Sequence, residues 1–325
     1  MSKAQQYFNQ EHQQVRDSVS RFVEREILPF VDAWEEAEEF PRELYLKAGA
    51  AGILGIGYPE KFGGSYEGDL FAKVAASEEL MRSGSGGLVA GLGSLDIGLP
   101  PVLKWAKPAV RDRVVPQVVA GEKIIALAVT EPSGGSDVAG LKTRAVRDGD
   151  FYRVTGSKTF ITSGVRADYY TVAVRTGGDG FAGVSLLLIE KGTPGFSVGR
   201  SLKKMGWWAS DTAELFFDDC KVPVENLIGV ENMGFAGIMA NFQSERLSLA
   251  IMANMTSQLA LEEALKWAKE RSAFGKPIGK FQVLKHRLAE MATQIEVSRE
   301  FTYRQAAQIA AGKSVIKEIS MAKNF

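Results

Sequence analysis

A chain of 325 residues with 45% apolar side chains has room for two or three structural units with sizeable cores, which excludes disorder as its main state. Its 39 Lys and Arg balance 39 Asp and Glu, so no chain-wide field draws it to a phosphate backbone or an anionic membrane. The lone cysteine, Cys220, excludes an internal disulfide and a cysteine-rich zinc site. The first residues lack the apolar core of a signal peptide, and no apolar run approaches the ~18 residues of a spanning helix, so the cytoplasm is the expected compartment.

Taken in chain order, Val15, Val19, Phe22, Val23 and Ile27 form the apolar stripe of an amphipathic helix over Glu11 to Ile27, and helical pattern continues almost to residue 120. Phe40-Pro41 opens another helix with Gly49 as its stop signal, Asp69 caps a helix over Leu70 to Arg82, and Tyr58 to Ser65 between them is a loop. The middle third changes period. Ile124 to Val129, Leu141 to Val146, Phe151 to Thr155, Thr159 to Thr162, Tyr169 to Arg175 and Val184 to Ile189 are short β-branched or aromatic runs, and Asp148-Gly149 is a tight hairpin signal. Their even spacing without intervening helices favours a barrel or sandwich. From Met233 the helical period returns: Leu284, Leu288, Met291 and Ile295 mark one helix face, and a further helix begins near Ser314. The pattern predicts an α+β chain with a helical domain over 1–122, a β-barrel-like domain over 123–232 and a helical bundle over 233–325. In the last segment 13 Lys or Arg face 8 Asp or Glu, the mild excess of a solvated helix surface.

Familiar motifs fail on context. Gly178-Asp179-Gly180-Phe181-Ala182-Gly183 fits G-x-G-x-x-G, but a strand follows it where a dinucleotide fingerprint needs a helix, so it reads as a hairpin loop. Gly312-Lys313-Ser314 has Ala307 where a phosphate loop requires glycine. His12 and His286 lie on separate predicted helices, which disfavours a histidine metal site or triad and leaves base catalysis to a carboxylate; no metal is expected.

Leu127 to Val138, reading L-A-V-T-E-P-S-G-G-S-D-V, is a strand running into a glycine-rich turn with hydroxyl side chains. Such a turn can hold a ring edge or a phosphate on its backbone N–H groups; by itself it serves as readily as a structural corner. The stretch resembles the T-E-P-x-x-G-S-D signature of the acyl-CoA dehydrogenases. Gly156 to Gly164 (G-S-K-T-F-I-T-S-G), Lys204 to Thr212 (K-M-G-W-W-A-S-D-T) and Arg271 to Ile278 (R-S-A-F-G-K-P-I), with Phe281-Gln282 behind it, resemble further family segments in the family's order.

The resemblance implies FAD in a cleft where the β domain meets the helical bundle, and α,β-desaturation of an acyl-CoA thioester, with the α proton taken by a base and the β hydride by flavin N5. It implies isoalloxazine contacts from Leu127, Val129, Thr130, Phe160, Ile161 and Thr162, with Gly135 and Ser136 near the pyrophosphate and Ser136 also near the CoA portion. Phe160 stands where the family often has Trp: an aromatic face is kept, while a role of the larger ring in electron exit is put in doubt. Arg271, Phe274 and Gln282 match residues that reach the flavin of a neighbouring subunit, which makes a homodimer or homotetramer the expected unit. An electron-transfer flavoprotein is the implied acceptor.

Most members of the family place the catalytic Glu in a C-terminal segment that does not follow Phe325 here, so the chain is expected to be incomplete as an enzyme. A minority, the isovaleryl and long-chain types, use a Glu before an Arg in the first bundle helix, and Phe242-Gln243-Ser244-Glu245-Arg246 fits that pattern. Glu245 is the expected base, an ordinary ion-paired helix residue being the alternative. Phe242, Gln243 and Arg246 are the expected substrate neighbours, Gln243 replacing the Asp that many members direct at the CoA arm. Two other functions fit the same pattern less well: an oxygen-dependent flavin oxidase or monooxygenase on this fold, and a non-catalytic acyl-CoA-binding remnant.

Overall fold

The computed structural model describes residues 6–325, and its chain contacts divide it into two compact units. The first takes the N-terminal segment to Ile27, then Asp69–Gly84 and Gln243–Phe325. The second takes Leu28–Gly68 and Ser85–Phe242.

In chain order the helices are α1 (Gln10–Phe22), α2 (Val31–Glu36), α3 (Glu43–Ala50), α4 (Leu70–Met81), α5 (Gly86–Leu92), α6 (Leu95–Trp105), α7 (Pro108–Val119), α8 (Gly234–Glu270), α9 (Gln282–Ala310) and α10 (Ile316–Asn324). The strands are β1 (Ile125–Ala128), β2 (Arg144–Asp148), β3 (Phe151–Thr162), β4 (Tyr169–Arg175), β5 (Val184–Glu190), β6 (Phe196–Ser201), β7 (Thr212–Pro223), β8 (Leu227–Ile228), β9 (Ser272–Ala273) and β10 (Lys276–Pro277).

The first unit is a helical bundle. Its core joins Phe71 and Val74 of α4, Leu247 and Ile251 of α8, Tyr303 and Ala306 of α9, and Val315 and Ile319 around α10. The expected stripe is buried on α1, although a π-helical turn takes over at Val23–Ile27. Two helix starts are tied together by one histidine. His12 Nδ1 accepts from the Asn9 N–H (3.1 Å) in the α1 capping box, so Nε2 carries the proton and donates to Asp69 Oδ2 at 2.9 Å. Asp69 Oδ1 meanwhile caps α4, accepting from the N–H groups of Phe71 and Ala72.

Deeper in the bundle, buried Glu78 and Glu79 receive Arg16, which bonds Glu78 and lies 3.1 Å from Glu79, and the Tyr303 hydroxyl donates to Glu78. Burial, with the Glu78 charge beside it, pushes the Tyr303 phenol far above its ordinary range, so it stays a donor.

The second unit is built on an eight-stranded mixed sheet in the order β6-β7-β3-β2-β4-β5-β8, with β1 parallel to β4. β2 and β3 form the expected hairpin around Gly149, whose φ of 60° suits the tight turn. The sheet curls: the Tyr170 ring of β4 meets Phe196 of β6 at 4.8 Å, although three strands lie between them in the sheet order. That curvature is the barrel-like form expected of the middle third, with β6 and β8 as the ends of the strand order, and the fold as a whole is the expected α+β arrangement.

Four details depart from the sequence reading. The two runs Phe151 to Thr155 and Thr159 to Thr162 are one strand, continuous through Gly156, whose φ of 147° only glycine adopts without strain. The run assigned to Leu141 to Val146 becomes a strand only from Arg144. The helix near Phe40-Pro41 starts at Glu43, and Gly49 lies inside it rather than stopping it. Finally, among the described residues Gly86–Trp105 is the one helical stretch long and apolar enough by composition to cross a membrane, where no such run was expected; it is divided into α5 and α6 and largely buried.

Tyr303→Phe keeps the ring packing but removes the donor to a buried carboxylate. Stability should fall by about 1–2 kcal/mol in chemical denaturation with little change in helical content.

Candidate functional site

The signature turn has a rigid frame. Glu131 and Gly134 exchange backbone hydrogen bonds of 3.2 and 3.0 Å around Pro132-Ser133, and Asp137 Oδ1 accepts from the Gly140 N–H. Ser133, Gly134, Gly135 and Ser136 stand exposed on the turn. A Cβ at Gly135 would come within 3.1 Å of the Thr130 side chain, so a larger residue would crowd the threonine.

Beneath the turn lies a charge pair. Lys158, on β3, is 0% exposed; its Nζ donates to Glu131 Oε1 at 2.9 Å and to the Val129 carbonyl at 3.0 Å. The Glu131 carboxylate also accepts the N–H groups of Lys142 (2.6 Å) and Thr143 (2.8 Å). Burial works against the Glu131 charge, but the Lys158 ammonium and these donors outweigh it and hold the carboxyl below its usual range. Burial lowers Lys158 to about 8, with Glu131 opposing the shift.

Just past Lys158 the strand bulges. Lys158 pairs with Leu215 and Ile161 with Ala213, so β3 spends three steps where β7 spends two. The extra residue changes which way side chains point. Phe160 adopts a left-handed φ of 59° and is 68% exposed, while Ile161 beside it is buried at 2%. The Thr159 N–H donates to the Thr130 carbonyl at 2.9 Å, so the bulge and the signature turn are neighbours. Leu127, Val129, Thr130, Phe160 and Thr162 are thereby carried on two bonded segments of one unit. Ile161 belongs to the same strand, but its side chain is in the core. An outward aromatic ring in a left-handed conformation, on segments that also carry half-buried Thr130 and Thr162 and an exposed Gly-Gly-Ser turn, fits the flat ring and phosphates of a flavin dinucleotide.

The third segment forms a braced loop in the same unit. Lys204 Nζ donates to the Trp207 carbonyl and to Ser210 Oγ, both at 2.6 Å, and Glu35 accepts from the Ala209 N–H. Trp207 lies against the start of α5, where a Cβ at Gly87 would come within 2.6 Å of its backbone.

Phe242, Gln243, Glu245 and Arg246 occupy adjacent turns of α8 and are all half-buried; spacings of three and four put Phe242, Glu245 and Arg246 on one face. In the first unit, Arg271, Phe274 and Gln282 gather at the β9–β10 hairpin and the start of α9. All three are exposed, Phe274 at 95% and again with a left-handed φ, of 52°. Lys158 is the residue that sequence reasoning missed: it stands in the second segment, yet only its burial against Glu131 distinguishes it from a surface lysine.

Acid should reveal the buried carboxylate. A folded pKa held below the unfolded one contributes stability above pH ~4.5, lost as pH falls through the folded value. A series of melting temperatures from pH 6 to 3 should therefore fall less steeply for Glu131→Gln than for the parent; equal slopes would contradict the assignment.

Sequence models of the acyl-CoA dehydrogenase N-terminal, middle and C-terminal domains match residues 9–122, 126–220 and 232–325. The mitochondrial long-chain specific acyl-CoA dehydrogenase of Rattus norvegicus is 40% identical over 90% of this chain and 69% of its own. CarC, a subunit of the caffeyl-CoA reductase-Etf complex of Acetobacterium woodii, is 34% identical over 98% of this chain and 84% of its own. The crystal structure of a probable acyl-CoA dehydrogenase from Mycobacterium abscessus superposes with a TM-score of 0.95 at 48% identity, covering 98% of this chain and 85% of that one. With three consecutive domain matches and this likeness in fold, the chain belongs to the acyl-CoA dehydrogenase family, the FAD-dependent oxidoreductases that dehydrogenate acyl-CoA thioesters.

Proposed function

We propose that the segments carrying Leu127, Val129, Thr130, Phe160 and Thr162 hold the isoalloxazine, that Gly135 and Ser136 receive the pyrophosphate, and that Glu245 is the base of an α,β-desaturation. The outward turn of Phe160 at the bulge beside Thr130 carries this reading, because a strained, water-exposed aromatic residue gains most when a flat ring covers it. Bound FAD supplies the hydride acceptor. Ile161 contributes through its backbone, its side chain being in the core. Phe242, Gln243 and Arg246 line the path of the thioester next to Glu245.

Glu245 takes the α proton of the substrate onto its carboxylate. An acyl-CoA lying over this half-buried glutamate would exclude water from the carboxylate and bring it against the thioester, the placement a general base requires. The neighbouring Glu245-Arg246 pair matches the isovaleryl and long-chain pattern, and the identity with a long-chain enzyme supports the same placement. Electrons then leave to an electron-transfer flavoprotein, a partner supported by the relative that belongs to an Etf complex.

Arg271, Phe274 and Gln282 serve the flavin of a second copy of the chain in a homodimer or homotetramer. Their joint exposure at one hairpin supports this, since an arginine fork held out to solvent is ready to clasp a diphosphate.

Glu245→Gln preserves size and hydrogen bonding but cannot accept the proton. FAD content should stay at the parental level, while anaerobic bleaching by a panel of acyl-CoA esters slows by ~100-fold or more; bleaching at the parental rate would place the base elsewhere. Arg271→Ala removes a charge-assisted partner of roughly 1.5–3 kcal/mol, so FAD should be lost on gel filtration without a change in helical content. Equal FAD retention would remove Arg271 from the site.

A further inference from the structure

Lys158 and Glu131 have no place among the proposed flavin contacts, yet they are the most deeply buried ionised groups around them. Lys158 Nζ bonds the Val129 carbonyl and the Glu131 carboxylate, while the next residue, Thr159, bonds the Thr130 carbonyl. Three consecutive residues of the turn are thus fastened to two consecutive residues of β3. On the other side, Glu131 reaches the N–H groups of Lys142 and Thr143, and Thr143 Oγ1 returns to the Ser157 carbonyl at 3.2 Å. The loop closes on itself. Its free ends are the side chains assigned above to the flavin: Thr130 on one segment, Phe160 and Thr162 on the other.

Resting on the flavin placement argued above, we propose that Lys158 and Glu131 are positioning residues of the flavin site, a buried pair that fixes the Val129–Thr130 segment against the Phe160 bulge. Stability alone is a weak reason for such a pair, because burying two charges costs about as much as their attraction returns, and apolar replacements often fold as well. What the charges provide is direction. An ammonium must meet the Val129 carbonyl and Glu131 together, so the two segments have one relative placement, whereas an apolar pair would allow them to slide.

The test uses complete, FAD-loaded protein in parent, Lys158→Met, Glu131→Leu and the double variant. Each single change strands a buried charge or its partner and should lower the melting temperature and weaken FAD binding together. The double variant strands no charge, although the Val129 carbonyl and the N–H groups of Lys142 and Thr143 lose their partners, so its melting temperature should lie above those of both single variants and below the parent's, while FAD binds ~10-fold or more weakly with a displaced visible flavin spectrum. Parental FAD affinity and spectrum in the double variant would overturn the proposal and leave the pair a packing feature.

Should the apolar pair fail to fold, Lys158→Arg decides. It keeps the charge and donors but changes their reach, so FAD weakened ~3-fold or more supports positioning, and parental affinity and spectrum refute it. Thr130→Ala and Phe160→Ala separate the two levels of the account. If neither alters FAD affinity, the flavin placement itself is wrong and the inference falls with it; if both weaken FAD while the double variant is parental, only the role of the pair is wrong.

Discussion

An ammonium group with no access to water has to be answered where it sits, and in this protein Lys158 is answered by Glu131 and the Val129 carbonyl. Much of the local geometry follows. The carboxylate must also be satisfied, and the backbone of Lys142 and Thr143 folds over it to do so. The strand that carries Lys158 is then fixed at that residue, and the extra residue accommodated beyond it throws Phe160 outward. A charge in the core, a bulge in the sheet and an aromatic ring at the surface form one continuous arrangement.

The bundle solves a different problem with similar means. Glu78 and Glu79 on α4 are buried among helices, and Arg16 from α1 and Tyr303 from α9 meet them there. Both ends of the pairing come from segments far apart in sequence, so the contacts specify which helices lie together. The His12 bridge from the α1 capping box to the α4 cap does the same at the helix starts. Apolar packing around Phe71, Leu247 and Ile319 supplies the larger share of burial, and the polar contacts select one arrangement within it.

Local rules carried the sequence reading a long way. The 3.6-residue stripe on α1, the Asp69 cap, the Asp148-Gly149 hairpin and the Tyr169 to Arg175 strand stand where pattern placed them, since each depends on neighbours in sequence. The glycine-rich stretch around Gly178 is a hairpin loop between β4 and β5, as the strand behind it required. Family membership was legible for another reason: four ordered segments carried it. Long-range facts were hidden. Nothing local says that Gly156 lets two runs continue as one strand, that Lys158 turns inward to a glutamate 27 residues earlier, or that one bulge reverses Phe160 and Ile161. The apolar length of Gly86–Trp105 was likewise missed, because Gly93-Ser94 breaks it when short runs alone are counted.

The account as a whole stands on one coupled event, removal of the α proton and β hydride of an acyl-CoA at a flavin held by this chain. Anaerobic titration of the purified FAD-loaded protein with saturated acyl-CoA esters of graded chain length, followed by mass analysis of the thioester, measures both halves at once. The predicted result is loss of the flavin's visible absorbance together with one enoyl-CoA formed per flavin. Thioester binding across the whole panel with the flavin spectrum unbleached and no enoyl-CoA formed would contradict it.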